Sequence, residues 1–197
     1  MRELELKAVV PDLDACRESL DAHGAIPRER GRLYDRRFDT PERSLRARDI
    51  VLRVREFSGS PRSYATLDWK GAARFDSGYK EREEVSLGID AGATATHILQ
   101  QLGFVVSFEI ERDIEVYDLS GATIRFERYA RMDTLVEVEG APDAIEGAVD
   151  ALGIPRTAFT TGRLADFARA FEDRTGDRAA LSAAELIASD QYERADA

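Results

Sequence analysis

Several segments of this chain alternate apolar and ionisable residues, a pattern typical of β-strands with one apolar and one charged face. The first is Glu3-Leu4-Glu5-Leu6-Lys7, whose odd-numbered residues share one face and whose leucines share the other. The leucine face can pack on a core, and the opposite face sets two carboxylates beside an ammonium. Taken alone, this strand predicts either a solvated sheet surface or a site that holds a hard divalent cation and an anion.

The same alternation recurs along the chain, which favours the second interpretation. Further charged faces are formed by Arg53/Arg55, Lys80/Arg82/Glu84, Arg125/Glu127 and Glu137/Glu139, with Lys70 at the end of its own strand. An antiparallel sheet can close into a barrel with a polar lumen and an apolar outer face covered by helices. Charges of both signs are tolerable inside if a polyanion meets the cations and a metal ion meets the carboxylates.

Predicted helices, three of which end at a glycine, lie between several of the strands. We predict helices between Pro11 and Gly24, Thr94 and Gly103, and Pro142 and Gly153, and a fourth after Thr161-Gly162. The chain of 197 residues predicts one domain, which we place at residues 1–174. An acidic tail, residues 175–197, follows it, and residues 181–189 are expected to form a short helix.

The composition of the chain argues against several classes of protein. The net charge of −10 and the pI near 4.8 argue against a generally basic surface for nucleic acid or for an anionic membrane. Charges begin at Arg2, which argues against a signal peptide, and no apolar run approaches the roughly 20 residues of a membrane span. The single cysteine, Cys16, excludes an internal disulfide. We expect a cytoplasmic monomer or homodimer without nucleic-acid or membrane partners.

The first strand also carries a family resemblance. Glu3-x-Glu5-x-Lys7 resembles the ExExK signature of the CYTH superfamily, which holds class IV adenylyl cyclases, thiamine triphosphatases and inorganic triphosphatases. The resemblance continues in order through Tyr34-Asp35, Phe38-Asp39, Leu52-Arg53-Val54-Arg55, Trp69-Lys70-Gly71, Arg82-x-Glu84, Arg112 and Val136-Glu137-Val138-Glu139. It covers about residues 1–172 and is greatest for the class IV cyclase branch. It implies an α+β fold: a closed eight-stranded antiparallel β-barrel, the triphosphate tunnel, with helices packed outside.

The resemblance also implies residue roles. The triphosphate would be bound by Lys7, Arg53, Arg55, Lys70, Lys80, Arg82 and Arg112. The metal, Mg²⁺ or Mn²⁺, would be held by Glu3, Glu5, Glu137 and Glu139, with Glu84 and Glu127 as weaker candidates. Glu3, Glu5 and Lys7 would form the catalytic group. Two positions depart from the family: Ile110 stands where members commonly have lysine, and Ser86 where a second glutamate often stands.

The expected chemistry is metal-assisted attack on a small-molecule triphosphate. If water attacks, the protein is a triphosphatase, which we place first because hydrolysis demands less of the site than cyclisation. If the ribose 3′-hydroxyl of ATP attacks the α-phosphate, the products are cyclic AMP and pyrophosphate, as in a class IV adenylyl cyclase. A noncatalytic module that binds polyphosphate or nucleotide is the third alternative, and the departure at Ile110 could point to it.

Overall fold

The computed structural model describes residues 2–76 and 79–187, without the side chains of Arg2, Glu3, Asp76 and Tyr79. The strands are β1 (Arg2–Val9), β2 (Ile26–Asp39), β3 (Val51–Ser60), β4 (Tyr64–Lys70), β5 (Arg74–Asp76), β6 (Tyr79–Ile89), β7 (Val105–Leu119), β8 (Ala122–Tyr129) and β9 (Leu135–Gly140). The α-helices are α1 (Leu13–Ala22), α2 (Ser44–Ala47), α3 (Gly92–Gln101), α4 (Pro142–Leu152) and α5 (Leu164–Thr175), and residues Arg156–Ala158 form a 3₁₀ turn.

Eight of these strands close into an antiparallel barrel. Their order is β1-β9-β8-β7-β2-β3-β4-β6, and β6 pairs back with β1. Closure removes the unpaired edges that an open sheet would present. The short strand β5 pairs with β6 outside this ring and was not predicted from the sequence. The predicted α+β fold around a closed eight-stranded barrel is confirmed.

The register between strands decides which side chains face the lumen. On β1 and β9, Glu5 lies opposite Glu139 and Lys7 opposite Glu137. Between these two pairs, Leu6 and Val138 face the other way and are almost fully buried outside the barrel. Because alternate residues point to opposite faces, one register places inside the charged residues of the alternating pattern whose side chains the structure describes.

Helices cover the apolar outer face. The largest apolar cluster joins α1 and α4 to β1, β8 and β9, with Leu6, Leu20, Ile124, Val138 and Ile145 fully or almost fully buried. A second cluster places α3 over β3 and β4. Much of the apolar surface is thus buried between the sheet and its helices, whereas the inward strand faces carry the charged residues together with a smaller apolar cluster of Leu33, Phe57, Ile114 and Val116.

Local signals account for most helix ends. Asp12 caps α1 and accepts hydrogen bonds from the backbone N–H groups of Asp14 and Ala15, each at 3.0 Å. The helix predicted to begin at Thr94 begins two residues earlier, at Gly92, and its first backbone bond runs from Ala95 N–H to the Ala91 carbonyl at 3.3 Å. Thr94 therefore lies inside the first turn of the helix. None of the described helices is long and apolar enough to cross a membrane.

The segment around α5 lies across one end of the barrel. Lys7 and Thr160 exchange two backbone hydrogen bonds of 2.8 Å, and Leu164 and Ala168 of α5 line the lumen. Beyond α5 the chain returns to the barrel, where Ala180 pairs with Arg131. Residues 183–187 are helical, and the rest of the predicted terminal helix lies outside the described residues. The boundary at residue 174 remains a prediction.

Candidate functional site

The barrel encloses a cavity of about 680 Å³, a volume within the range of small-molecule sites. All eight strands of the ring contribute lining residues. The cavity brings together every residue predicted to bind phosphate: Lys7, Arg53, Arg55, Lys70, Lys80, Arg82 and Arg112. These cations come from five strands that are distant in sequence, so closure of the barrel is what assembles them.

Three of the predicted metal ligands form a cluster on β1 and β9. Carboxylate oxygens of Glu5, Glu137 and Glu139 lie within 4.8 Å of one another. Three oxygen donors at this separation fit a hard divalent cation such as Mg²⁺ or Mn²⁺. We call Glu5, Glu137 and Glu139 the acidic wall.

The other predicted ligands are placed differently. Glu84 and Glu127 line the cavity, but Glu84 accepts a 2.5 Å hydrogen bond from Lys70 and Glu127 a 2.8 Å hydrogen bond from Arg112. The backbone of Glu3 lies in β1, but its side chain lies outside the described residues. Its metal-binding and catalytic roles therefore stay predictions.

Cations already neutralise the acidic wall. Lys7 pairs with Glu137 and lies 3.5 Å from Glu5, while Lys80 pairs with Glu5. Arg125 pairs with Glu137, and its Nη2 lies 3.6 Å from a Glu139 oxygen. A metal ion would therefore compete with ammonium and guanidinium groups for these oxygens, and would free them to face an anion.

The opposite side of the cavity is organised around Asp35. This carboxylate is fully buried and accepts four hydrogen bonds from Arg53, Arg55 and Arg112 at 2.8–3.4 Å. Burial alone would raise the pKa of Asp35, but the three guanidinium groups hold that pKa well below its usual range. One carboxylate thus holds three arginines in place, and Asp68 adds a second contact to Arg53 at 2.6 Å.

The pKa values of three further groups are shifted by burial and by neighbouring charges. Burial would raise the pKa of Glu127, yet Arg112 and Arg125 lower it to about 2. Tyr129 donates a 2.6 Å hydrogen bond to Glu127, and burial beside that carboxylate raises the pKa of the phenol. Burial and the nearby Arg53 lower the pKa of Lys70. The charged groups buried around the lumen therefore act on one another strongly.

Several residues of the cavity and its supports were given no site role from the sequence, although Arg125 was placed on a charged strand face. They are Asp35, Arg37, Asp68, Arg125 and Tyr129, of which Arg37, Arg125 and Tyr129 line the cavity. Asp35 stands in the quoted Tyr34-Asp35 pair, and extending the alternation from Asp35 along β2 would also have placed Arg37 inside. Of the two departures, Ile110 lines the cavity as an apolar residue, while Ser86 donates a 2.7 Å hydrogen bond to Asp68.

Solved structures with this architecture come from several organisms. A "putative adenylate cyclase" from Vibrio parahaemolyticus superposes with a TM-score of 0.71 at 17% identity, covering 84% of this chain and 96% of its own. A Pyrococcus horikoshii protein gives a TM-score of 0.69 at 22% identity, covering 82% and 94%. A "putative adenylyl cyclase" from Hippeastrum, described as having a dominant triphosphatase activity, gives 0.61 at 19% identity, covering 91% and 98%. At these identities the likeness shows the fold.

The family itself is shown by sequence. A search of curated protein sequences found no match to this chain. The sequence model of the CYTH domain, in contrast, matches residues 1–148, which span the barrel and most of α4. With the closed barrel and its charged lumen, this match establishes that the chain belongs to the CYTH domain family.

Proposed function

We propose that this chain is a divalent-metal-dependent enzyme that hydrolyses a small-molecule triphosphate, whether inorganic, nucleoside or thiamine triphosphate. The observation that carries the proposal is the barrel cavity in which seven predicted phosphate-binding cations meet a cluster of three carboxylates. A polyanion and a metal ion together would satisfy both sets of charges. Family membership supports the same class of ligand.

The arginines are held ready to bind. Arg53, Arg55 and Arg112 are fixed by hydrogen bonds to Asp35, so little side-chain entropy is lost when phosphate oxygens arrive. Charge-assisted hydrogen bonds from guanidinium to phosphate are short, strong and often bidentate. Preorganised cations that meet developing negative charge are most of what phosphoryl transfer asks of a protein.

The acidic wall is the proposed metal site. Glu5, Glu137 and Glu139 would hold Mg²⁺ or Mn²⁺, which when bound neutralises phosphate charge and polarises a phosphoryl oxygen. Lys7 and Lys80 now pair with two of these carboxylates, which places both ammonium groups beside the metal site. From there they can bind phosphate oxygens as point charges.

Hydrolysis is favoured over cyclisation because the described lining of the cavity has few side chains that could hold a nucleotide base. The aromatic side chains in the described lining are Phe38, Phe108 and Tyr129. Phe38 is almost fully buried, Phe108 lies against Arg37, and Tyr129 bonds to Glu127. We identify no set of described residues that would fix an adenine and its ribose. The attacking oxygen in our proposal is therefore water, as befits the triphosphatase activity described for the Hippeastrum neighbour.

A ³¹P NMR time course with Mg²⁺ tests the proposal on ATP and, separately, on tripolyphosphate. We expect orthophosphate from at least one substrate, and the faster substrate will show whether a nucleoside is recognised. Pyrophosphate and cyclic AMP from ATP, without orthophosphate, would make the protein a cyclase. Line broadening without turnover in either tube would make it a binding module. EDTA should stop the reaction, and turnover that persists in EDTA would contradict the metal dependence.

A further inference from the structure

Arg37 is a cavity cation to which no role has yet been assigned. It lies on β2 opposite Phe108 of β7, two residues from Asp35 and on the same inward face. Its guanidinium carbon lies 5.6 Å from the centre of the Phe108 ring. In the ring of strands, β2 lies four places from β1, so Arg37 faces the cavity from the side opposite the acidic wall.

The guanidinium of Arg37 differs from the other strand-borne cations of the cavity. Each of the others has a carboxylate oxygen within 4.0 Å: Lys7, Arg53, Arg55, Lys70, Lys80, Arg82, Arg112 and Arg125. Arg37 has none among the described residues, and its buried Nε has no hydrogen-bond partner. A buried charge left in this way is costly.

The neighbours of Arg37 explain why it is left unpaired. Asp35 is the carboxylate nearest along the strand, but its four acceptor sites are used by Arg53, Arg55 and Arg112. The diagonal neighbour on β7 is Ile110, which offers no acceptor. Burial, together with Arg53, lowers the pKa of Arg37 to about 10, so the side chain is still charged at neutral pH.

We propose that Arg37 is an additional phosphate-binding residue, kept free of carboxylate partners so that its guanidinium bonds directly to the polyphosphate. This inference rests on the proposed function. The other cations already have a carboxylate beside them when the substrate binds, whereas the phosphate would be the first anionic partner of Arg37. Arg37 therefore contributes more to affinity than a cation that is already neutralised, and in the empty protein it adds no ion pair to the fold.

Isothermal calorimetry with tripolyphosphate in EDTA tests the inference, since the absence of metal prevents turnover. We expect Arg37→Gln to weaken binding at least about ten-fold, the size of one lost charge-assisted hydrogen bond. Arg37→Lys keeps the charge and should lose less. The matched control is Arg36→Gln on the outward face of the same strand, where Arg36 pairs with Glu56 at 2.6 Å. That variant should bind within about two-fold of the wild type.

Thermal unfolding separates a binding role from a structural one. Without ligand, Arg37→Gln should melt at or above the wild-type temperature, because an unpaired buried charge is removed. With tripolyphosphate, its stabilisation should be smaller than that of the wild type. A variant that melts well below the wild type, or fails to fold, would give Arg37 a structural role and overturn the inference.

The two proposals fail in different ways. If the wild type binds tripolyphosphate and Arg37→Gln binds it equally well, the inference about Arg37 is wrong and the proposed function stands. If the wild type binds no tripolyphosphate with or without Mg²⁺, the proposed function is wrong and the inference falls with it.

Discussion

The charged groups on the two sides of the cavity are neutralised in different ways. On the acidic wall, three carboxylates converge and are neutralised by Lys7, Lys80 and Arg125. On the opposite side, which we call the basic wall, Arg37, Arg53, Arg55 and Arg112 converge from β2, β3 and β7. Asp35 is the central carboxylate there, and it reaches only three of the four arginines.

The difference indicates which groups are structural and which are available to ligands. Asp35 is fully buried, and all its acceptor sites are used by arginines, so it serves to hold the basic wall together. The carboxylates of the acidic wall converge on one another at a distance that suits a cation. Removing the Asp35 carboxylate from the basic wall should therefore lower the stability of the fold. Removing a carboxylate from the acidic wall should instead lower catalytic activity.

The largest expected effect is on stability, from Asp35→Asn. Three buried guanidinium groups would lose their shared counter-charge, which typically costs about 3–5 kcal/mol. Urea unfolding at pH 7 measures it. The control is Asp118→Asn, which breaks the exposed pair with Arg28 and should cost less than about 1 kcal/mol. Similar losses in the two variants would show that Asp35 does not organise the basic wall. Tripolyphosphate should restore part of the loss in Asp35→Asn by supplying an anion.

The second effect is on turnover, from Glu137→Gln on the acidic wall. We expect metal-dependent phosphate release to fall at least about 100-fold, because one proposed metal ligand is lost. Tripolyphosphate binding in EDTA should not weaken, since the change frees Lys7 from its partner. Phosphate release and calorimetry measure the two quantities. Glu146→Gln, on the outer helix α4, is the matched control. A fall in metal-free affinity, with turnover retained, would reverse the roles that we give to the two walls.

The smallest effect is the pH dependence of stability. The folded-state pKa values of Asp35 and Glu127 are held below their unfolded values, to about 2 for Glu127. Their stabilising contribution is therefore fully present above the unfolded pKa values, near 4, and is lost as the pH falls through the folded ones. The two groups should together account for a loss of about 1 kcal/mol at pH 4 relative to pH 7. Urea midpoints across this range measure it, and Asp35→Asn should flatten the curve. Equal slopes in wild type and variant would contradict the assignment.

Much of the fold and of the candidate site could be predicted from the alternation of apolar and charged residues along single strands. The faces of Glu5/Lys7, Arg53/Arg55 and Glu137/Glu139 are local properties, since successive side chains point to opposite sides of a sheet. Together with the family resemblance they predicted the barrel, the cations of the cavity and the acidic cluster. Asp12 and Gly24 likewise marked the ends of α1 from local chemistry.

The sequence could not predict which acidic side chain pairs with which basic side chain across the lumen. The pairing of Asp35 with Arg53, Arg55 and Arg112 joins three strands and depends on register, which no single segment specifies. The same tertiary arrangement leaves Arg37 without a carboxylate, although it stands only two residues from Asp35. Alternation is a local consequence of backbone geometry and was present in the sequence. The partners of each charge were decided when the barrel closed, because closure alone sets the distances across the lumen.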